Sequence, residues 1–241
     1  MKRALVLYSG GLDSTTVVYV VRSGGFDPVA LIFRYGQRHE VEVERAVALA
    51  EHIRMPYRVQ RLDLRALGGS ALTADDVEVP RGRSEEEISG GGVPPTYVPA
   101  RNTIFLAHAL AWAEVENIDD IFLGINAVDY SGYPDCRPEY LEAFERLAGL
   151  ACRRTTEEGV TLRFHAPLLR KTKADIIRWG KELGVDYSRT WSCYAPKDIG
   201  GSERLAAERL VACGECDSCR LRRKGFREAD IEDPTTYWVS G

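Results

Sequence analysis

Between Leu5 and Val18 the chain reads LVLYSGGLDSTTVV, and no other stretch constrains its fold as tightly. An apolar run ends at Tyr8, two glycines stand between hydroxyls, an acid follows, and a second apolar run begins. A strand turning directly into a helix satisfies this pattern, with the glycines supplying the turn and Asp13 and Ser14 suiting a helix start. The second run, TTVVYVV, would suit a strand by propensity. Its position between that start and Gly24-Gly25 predicts a helix instead. Backbone N–H groups at such a turn are unpaired donors, and the helix dipole adds positive charge, so the turn suits a phosphate. No lysine follows the glycines, which excludes a Walker loop.

Apolar, β-rich runs at 3–8, 28–33, 57–62, 120–126 and 160–166 alternate with helical patterns at 13–23, 39–54, 101–117, 137–157, 172–183 and 203–211. That alternation predicts an α/β fold, a parallel sheet flanked by helices. Residues 66–100 are rich in Gly, Pro and acid without periodicity, the pattern of a functional or partly disordered loop. From about 185 the composition shifts to Cys, Gly and Arg. The expected organisation is therefore a nucleotide-binding and catalytic domain over 1–184 and a small metal-binding module over 185–241. With 32 basic and 36 acidic residues the net charge is −4, which argues against a broad nucleic-acid footprint. No apolar stretch approaches the ~20 residues that span a bilayer, so a cytoplasmic protein is expected.

Three of the six cysteines are packed as CGECDSC, at Cys213, Cys216 and Cys219. This spacing can wrap one tetrahedral Zn²⁺, and Cys193 in TWSCY is the candidate fourth ligand. An iron–sulfur cluster fits the same ligands. Cys152 reads as helix packing and Cys136 as a pocket wall.

SGGLDS resembles the PP-loop signature of ATP pyrophosphatases, which split ATP between the α and β phosphates. That resemblance implies ATP binding by Tyr8, Ser9, Gly10, Gly11, Leu12, Asp13, Ser14 and Thr15, catalytic roles for Asp13 and Ser14, and Mg²⁺ to offset phosphate charge. Together with CGECDSCRLRRKGF at 213–226, the strings RYGQRHE at 34–40, YVPARN at 97–102, GINAVDYSGYPDCRPEY at 124–140, KTKADII at 171–177 and TWSCY at 190–194 resemble the 7-cyano-7-deazaguanine synthase family. The resemblance implies a single Rossmann-like domain of the adenine nucleotide alpha hydrolase type with a C-terminal zinc module. It implies ATP-dependent conversion of 7-carboxy-7-deazaguanine and ammonia to the nitrile through an adenylated acid and an adenylated amide. One structural Zn²⁺ on Cys193, Cys213, Cys216 and Cys219 and a homodimer are implied as well, with neither nucleic acid nor membrane as partner. Nothing resembles a glutaminase module, so free ammonia, or ammonia from a partner, is the expected nitrogen source. The spacer 194–212 is longer than the family pattern, and its ERLAAERL portion predicts an extra helical turn or two.

A deazapurine needs a face to stack on and acceptors for its N–H and amino edge. Tyr130 or Tyr133 can stack, Asp129 or Asp135 can accept, Asn126 lies beside them, and Arg137 can hold a carboxylate or phosphate. These residues follow the strand 120–126, and ligands of open α/β sheets sit at the carboxyl ends of strands. Arg101, at the start of the helix in YVPARN, can reach ATP phosphate or substrate carboxylate. Gln37, Arg38 and His39 follow the second strand, where Gln37 is expected to bind the substrate and His39 can shuttle protons or contact the nucleotide. Lys171 and Lys173 stand at a helix start, where lysine opposes the dipole, a mismatch that points to phosphate, and both are expected, with Arg101, to be catalytic. Two other readings share parts of these features: a PP-loop enzyme that modifies tRNA, and a zinc-ribbon nucleic-acid binder drawing on RLRRKGFR at 220–227. The charge disfavours the first, and the phosphate turn is left idle by the second.

Overall fold

The computed structural model describes residues 1–38, 41–90, 92–128, 133–200 and 209–239. Its centre is a parallel five-stranded sheet of β1 (Lys2–Leu7), β2 (Phe26–Arg34), β3 (Tyr57–Arg61), β4 (Asp120–Phe122) and β5 (Arg163–His165), in the order β3-β2-β1-β4-β5. Leu5 of β1 stands beside Val29 on one side and Ile121 on the other. The helices are α1 (Leu12–Ser23), α2 (Val41–His52), α3 (Glu85–Gly90), α4 (Arg101–Glu116), α5 (Pro138–Ala151), α6 (Arg153–Thr156), α7 (Lys173–Glu182) and α8 (Asp217–Ala229). A short antiparallel hairpin joins β6 (Lys197–Asp198) to β7 (Leu210–Val211).

A strand covered on both faces must be apolar at consecutive positions, and ALVL of β1 is. Ala4, Val6, Ala30 and Ile32 pack to one side with Val17 of α1, Leu49 of α2, Ile177 of α7 and Phe226 of α8. Leu5, Leu31, Phe33 and Ile121 pack to the other with Leu106 of α4 and Phe144 of α5. The four clustered cysteines form a third buried group with Val41, Ala71, Val79 and Trp191. Among the described residues no helix is long and apolar enough to cross a membrane.

The strand order reverses between β1 and β4, and a crevice opens there at the carboxyl ends of the strands, the usual ligand position in such sheets. Gly124, just past β4, lets α1 approach: a Cβ at this position would stand 3.0 Å from the backbone N and Cα of Ser14.

Three sequence expectations are corrected. The helix expected over 137–157 breaks at Cys152, which is extended (φ −106°, ψ 141°). The Thr155 and Thr156 hydroxyls donate to the Cys152 carbonyl at 2.7 and 3.0 Å, turning the chain into α6. In the helix expected over 203–211, Leu210 and Val211 are strand, paired with Asp198 and Lys197; residues 201–208 lie outside the described residues. Helix α8 was not expected at all, because its exposed face is crowded with Arg and Lys and few apolar residues mark its period. It docks on α7 at Gly225, where a Cβ would collide with the Lys173 methylenes. The segment 66–100 packs against the cysteines: Gly82 N–H donates to the Glu215 carbonyl at 3.0 Å, and Arg83 pairs with buried Asp217.

Candidate active site

A cleft of about 340 Å³ occupies the crevice, lined by the ends of β1, β2 and β4 and the starts of α1, α2, α4, α7 and α8. Its floor is the glycine turn. Gly10 has φ +70°, and a Cβ there would lie 2.7 Å from the Ala46 Cα, so both backbone conformation and space demand glycine. Gly11 precedes α1 without any side-chain cap, which leaves the helix N-terminus open to an anion. Ser9 and Ser14 are joined, Oγ to Oγ, at 3.1 Å, and the Ser9 N–H donates to Ser14 Oγ at 3.2 Å. These hydroxyls and the N–H groups of the turn form a cradle of donors.

Lys173 enters the cleft from the first residue of α7. Thr172 caps that helix through a reciprocal pair with Asp175, which sets the direction of the following lysine. Its Nζ donates to both carboxylate oxygens of Asp13 at 2.7 Å, and this pairing accounts for a lysine at an unfavourable helix end.

The wall opposite is aromatic. Phe33 and Phe105 stack with centroids 3.9 Å apart, and the Arg101 guanidinium lies 6.0 Å from the Tyr35 ring centroid and 5.9 Å from that of Phe105. Burial opposes the Arg101 charge, but Tyr35, Tyr133 and Tyr194 around it more than compensate, so it stays protonated. Glu42, in the first turn of α2, is pushed up to about 7 by burial, with Arg101 pulling the other way. Burial also lifts the Cys136 thiol to about 12, keeping it neutral in the wall.

Beside the turn, Cys193, Cys213, Cys216 and Cys219 are all buried, with their four sulfurs within 4.8 Å of one another. Backbone N–H groups donate to three of them: Cys213 to Cys193 at 3.2 Å, Cys216 to Cys213 at 3.3 Å, and Tyr194 to Cys216 at 3.5 Å. Donors of this kind favour thiolates. Hydrogen bonding from Cys193 first, then from Cys216 and Cys219, holds Cys213 below the usual thiol range. The donor set fits one tetrahedral metal ion.

The cleft brings together Tyr8, Ser9, Gly11, Leu12, Asp13, Ser14, Gln37, Arg101, Asn126, Tyr133 and Lys173 from the sequence-derived candidates. Gly10 and Thr15 sit behind this lining: the Gly10 carbonyl accepts from Trp191 N–H at 3.0 Å, and buried Thr15 contacts the Tyr8 hydroxyl. Lys171 is outside it, with its ammonium 4.8 Å from the Trp179 ring centroid. Asp135 is buried and accepts from Asn102 N–H at 3.1 Å, completing the start of α4, and Arg137 is exposed at the start of α5. Asp129, Tyr130 and His39 lie outside the described residues. Sequence reasoning missed Glu42, Phe105, Trp191, Ser192, Tyr194 and Asp217. Four of these neighbour cysteines in the chain, and that adjacency was the available signal: ligands drawn to one point carry their neighbours with them.

Residues 3–230 match the family described as "Queuosine biosynthesis protein QueC". Similar proteins named 7-cyano-7-deazaguanine synthase include one from Syntrophotalea carbinolica, 56% identical over 98% of this chain and 96% of that protein. One from Geobacter sulfurreducens is 54% identical over 100% and 95%. One from Geotalea daltonii is 55% identical over 99% and 97%.

Proposed function

The chain belongs to the QueC family, and from that premise we propose that it is an ATP-dependent ligase, a 7-cyano-7-deazaguanine synthase of queuosine biosynthesis. The observation that carries the reading is the crevice itself: an open helix N-terminus with its Asp13–Lys173 pair faces an aromatic wall with a partly buried arginine. One end suits a triphosphate and the other a planar heterocycle bearing a carboxylate.

A carboxylate resists attack by ammonia, and adenylation turns its oxygen into a leaving group. In the proposed sequence the 7-carboxy-7-deazaguanine carboxylate attacks the ATP α-phosphorus and pyrophosphate departs. Ammonia displaces AMP to give the amide, and the amide oxygen is adenylated in turn and lost, leaving the nitrile. Two oxygens leave, which sets two ATP per product. The turn N–H groups, Ser9 and Ser14 hold the pyrophosphate portion. Lys173 exchanges its Asp13 partner for phosphate oxygens as ATP enters, stabilising charge where it develops. Asp13 would hold Mg²⁺, which offsets the phosphate charge when bound. Arg101 holds the substrate carboxylate while Phe105 and Tyr133 flank the base. Zn²⁺ on the four thiols would act as a cross-link rather than a reactant. Free ammonia as nitrogen source, a homodimeric assembly and a cytoplasmic location complete the proposal.

Incubation with 7-carboxy-7-deazaguanine, ammonium chloride and Mg-ATP, followed by mass spectrometry of nucleotides and deazapurines together, tests it. AMP, pyrophosphate and the nitrile are expected. Absence of nucleotide turnover in folded, metal-loaded protein would overturn it.

A further inference from the structure

Beside the main cleft lies a second cavity of only about 10 Å³, lined by Tyr35, Gln37, Arg38, Glu42, Leu72 and Tyr194. All but Arg38 also line the main cleft, so the two spaces share a wall. A space of this size admits one water-sized molecule, and ammonia is such a molecule. Of the three carboxylates lining the cleft among the described residues, Asp13 is paired with Lys173 and Asp217 with Arg83. Among the described residues neither a hydrogen bond nor an ion pair engages Glu42.

We propose that this side cavity is the ammonia subsite, where the Glu42 carboxylate takes a proton from ammonium and frees the neutral nucleophile toward the cleft. The assignment rests on the ammonia-consuming reading above. Among the described residues the cations here are Arg101 from α4, which acts on Glu42, and Arg38 from the segment after β2, which lines the cavity; Tyr35 and Tyr194 line it too. Arg38 is drawn away by donating to the Val77 and Asp75 carbonyls at 3.2 and 3.3 Å. The Arg101 guanidinium disfavours keeping a further cation, so the site retains ammonia better than ammonium. Burial places the Glu42 acidity near neutrality, where it can accept a proton and return it to solvent.

In the step itself, ammonium and the Glu42 carboxylate become ammonia and the Glu42 carboxylic acid. The nitrogen lone pair then forms the C–N bond to the acyl carbon. The C–O bond to AMP breaks with its electron pair leaving on AMP, and the nitrogen sheds its second proton to solvent.

Two measurements on the full chain test this: kinetics with ammonium chloride as varied substrate, and ATP–pyrophosphate exchange driven by 7-carboxy-7-deazaguanine without ammonia. In Glu42→Gln, kcat/KM for ammonia at pH 7 should fall by about 100-fold. The deficit should close at high pH as free ammonia accumulates, while exchange persists. Unchanged kcat/KM for ammonia would overturn the subsite, as would loss of exchange, which would move Glu42 to the deazapurine or ATP. No exchange in the wild-type protein would instead overturn the synthase reading on which the subsite rests. Leu72→Ala supplies an independent check by enlarging the cavity. It should accept methylamine and form the N-methyl amide where the wild type does not, and equal inertness of the two proteins would overturn the size argument.

Discussion

The glycine turn and the cysteine cluster share one wall of the cleft and are built in opposite ways. The turn is local: its donors come from Ser9 to Ser14, and its shape depends on one glycine with positive φ and no room for a side chain. The cluster is assembled from Cys193 and a segment twenty residues further on. The two are tied where Trp191 N–H donates to the Gly10 carbonyl at 3.0 Å and the Trp191 indole donates to the Cys193 carbonyl at 3.1 Å. Ser192, Tyr194, Asp217 and Ser218, all next to cysteines or one residue removed, line the cleft. The difference teaches that a cluster that takes no part in the chemistry can still shape the cleft wall. The turn supplies the donors, and the cysteines decide what stands beside them.

Substitutions in the two regions should therefore fail differently. Asp13→Asn removes the partner of Lys173 and the carboxylate proposed to hold Mg²⁺, and kcat should fall by about 1000-fold. Circular dichroism and metal content should stay those of the wild type; near-normal turnover would break the assignment of the turn. Cys216→Ser should lose metal and stability together, with the melting temperature lower by about 10 °C or more. Substrate KM should rise with it, because the adjoining wall is released, and a stable, fully metal-loaded variant would separate the two regions. Gly10→Ala forces an unfavourable φ and a clash with α2, and should cost about 2–3 kcal/mol in urea unfolding while leaving the metal bound.

The smallest effect concerns Glu42. Its carboxyl, raised to about 7 in the folded protein from an ordinary 4.5, binds more protons folded than unfolded between these values. Stability therefore falls as pH rises through that window. Glu42→Gln removes this penalty, so its melting temperature should gain on the wild type between pH 5 and pH 8. A constant difference would show that the carboxyl titrates normally.

The strand–turn–helix at the glycines, the parallel sheet and the cysteine spacing were legible because each is carried by residues close together in the chain. Strand runs repeat over a few positions, and C-x-x-C-x-x-C converges by spacing alone. Helix α8 was hidden because its polar face dominates the composition, while its buried Phe226 and Gly225 acquire meaning only against α7. The break at Cys152 was hidden because the helical periodicity continues through it. Lys171 and Lys173 look alike in KTKADI, yet one stacks on Trp179 and the other enters the cleft.

By itself, then, the sequence determined that a strand–turn–helix leaves backbone donors open at a glycine turn and that thiols gather at a metal-binding spacing. Both follow from local backbone geometry. Only the tertiary structure decided that Lys173 meets Asp13 across 160 residues, that Asp135 completes a helix start, and that Glu42 borders a space the size of ammonia. Such pairings depend on how helices dock on a sheet, and docking is set by the whole packed core rather than by neighbours in the chain.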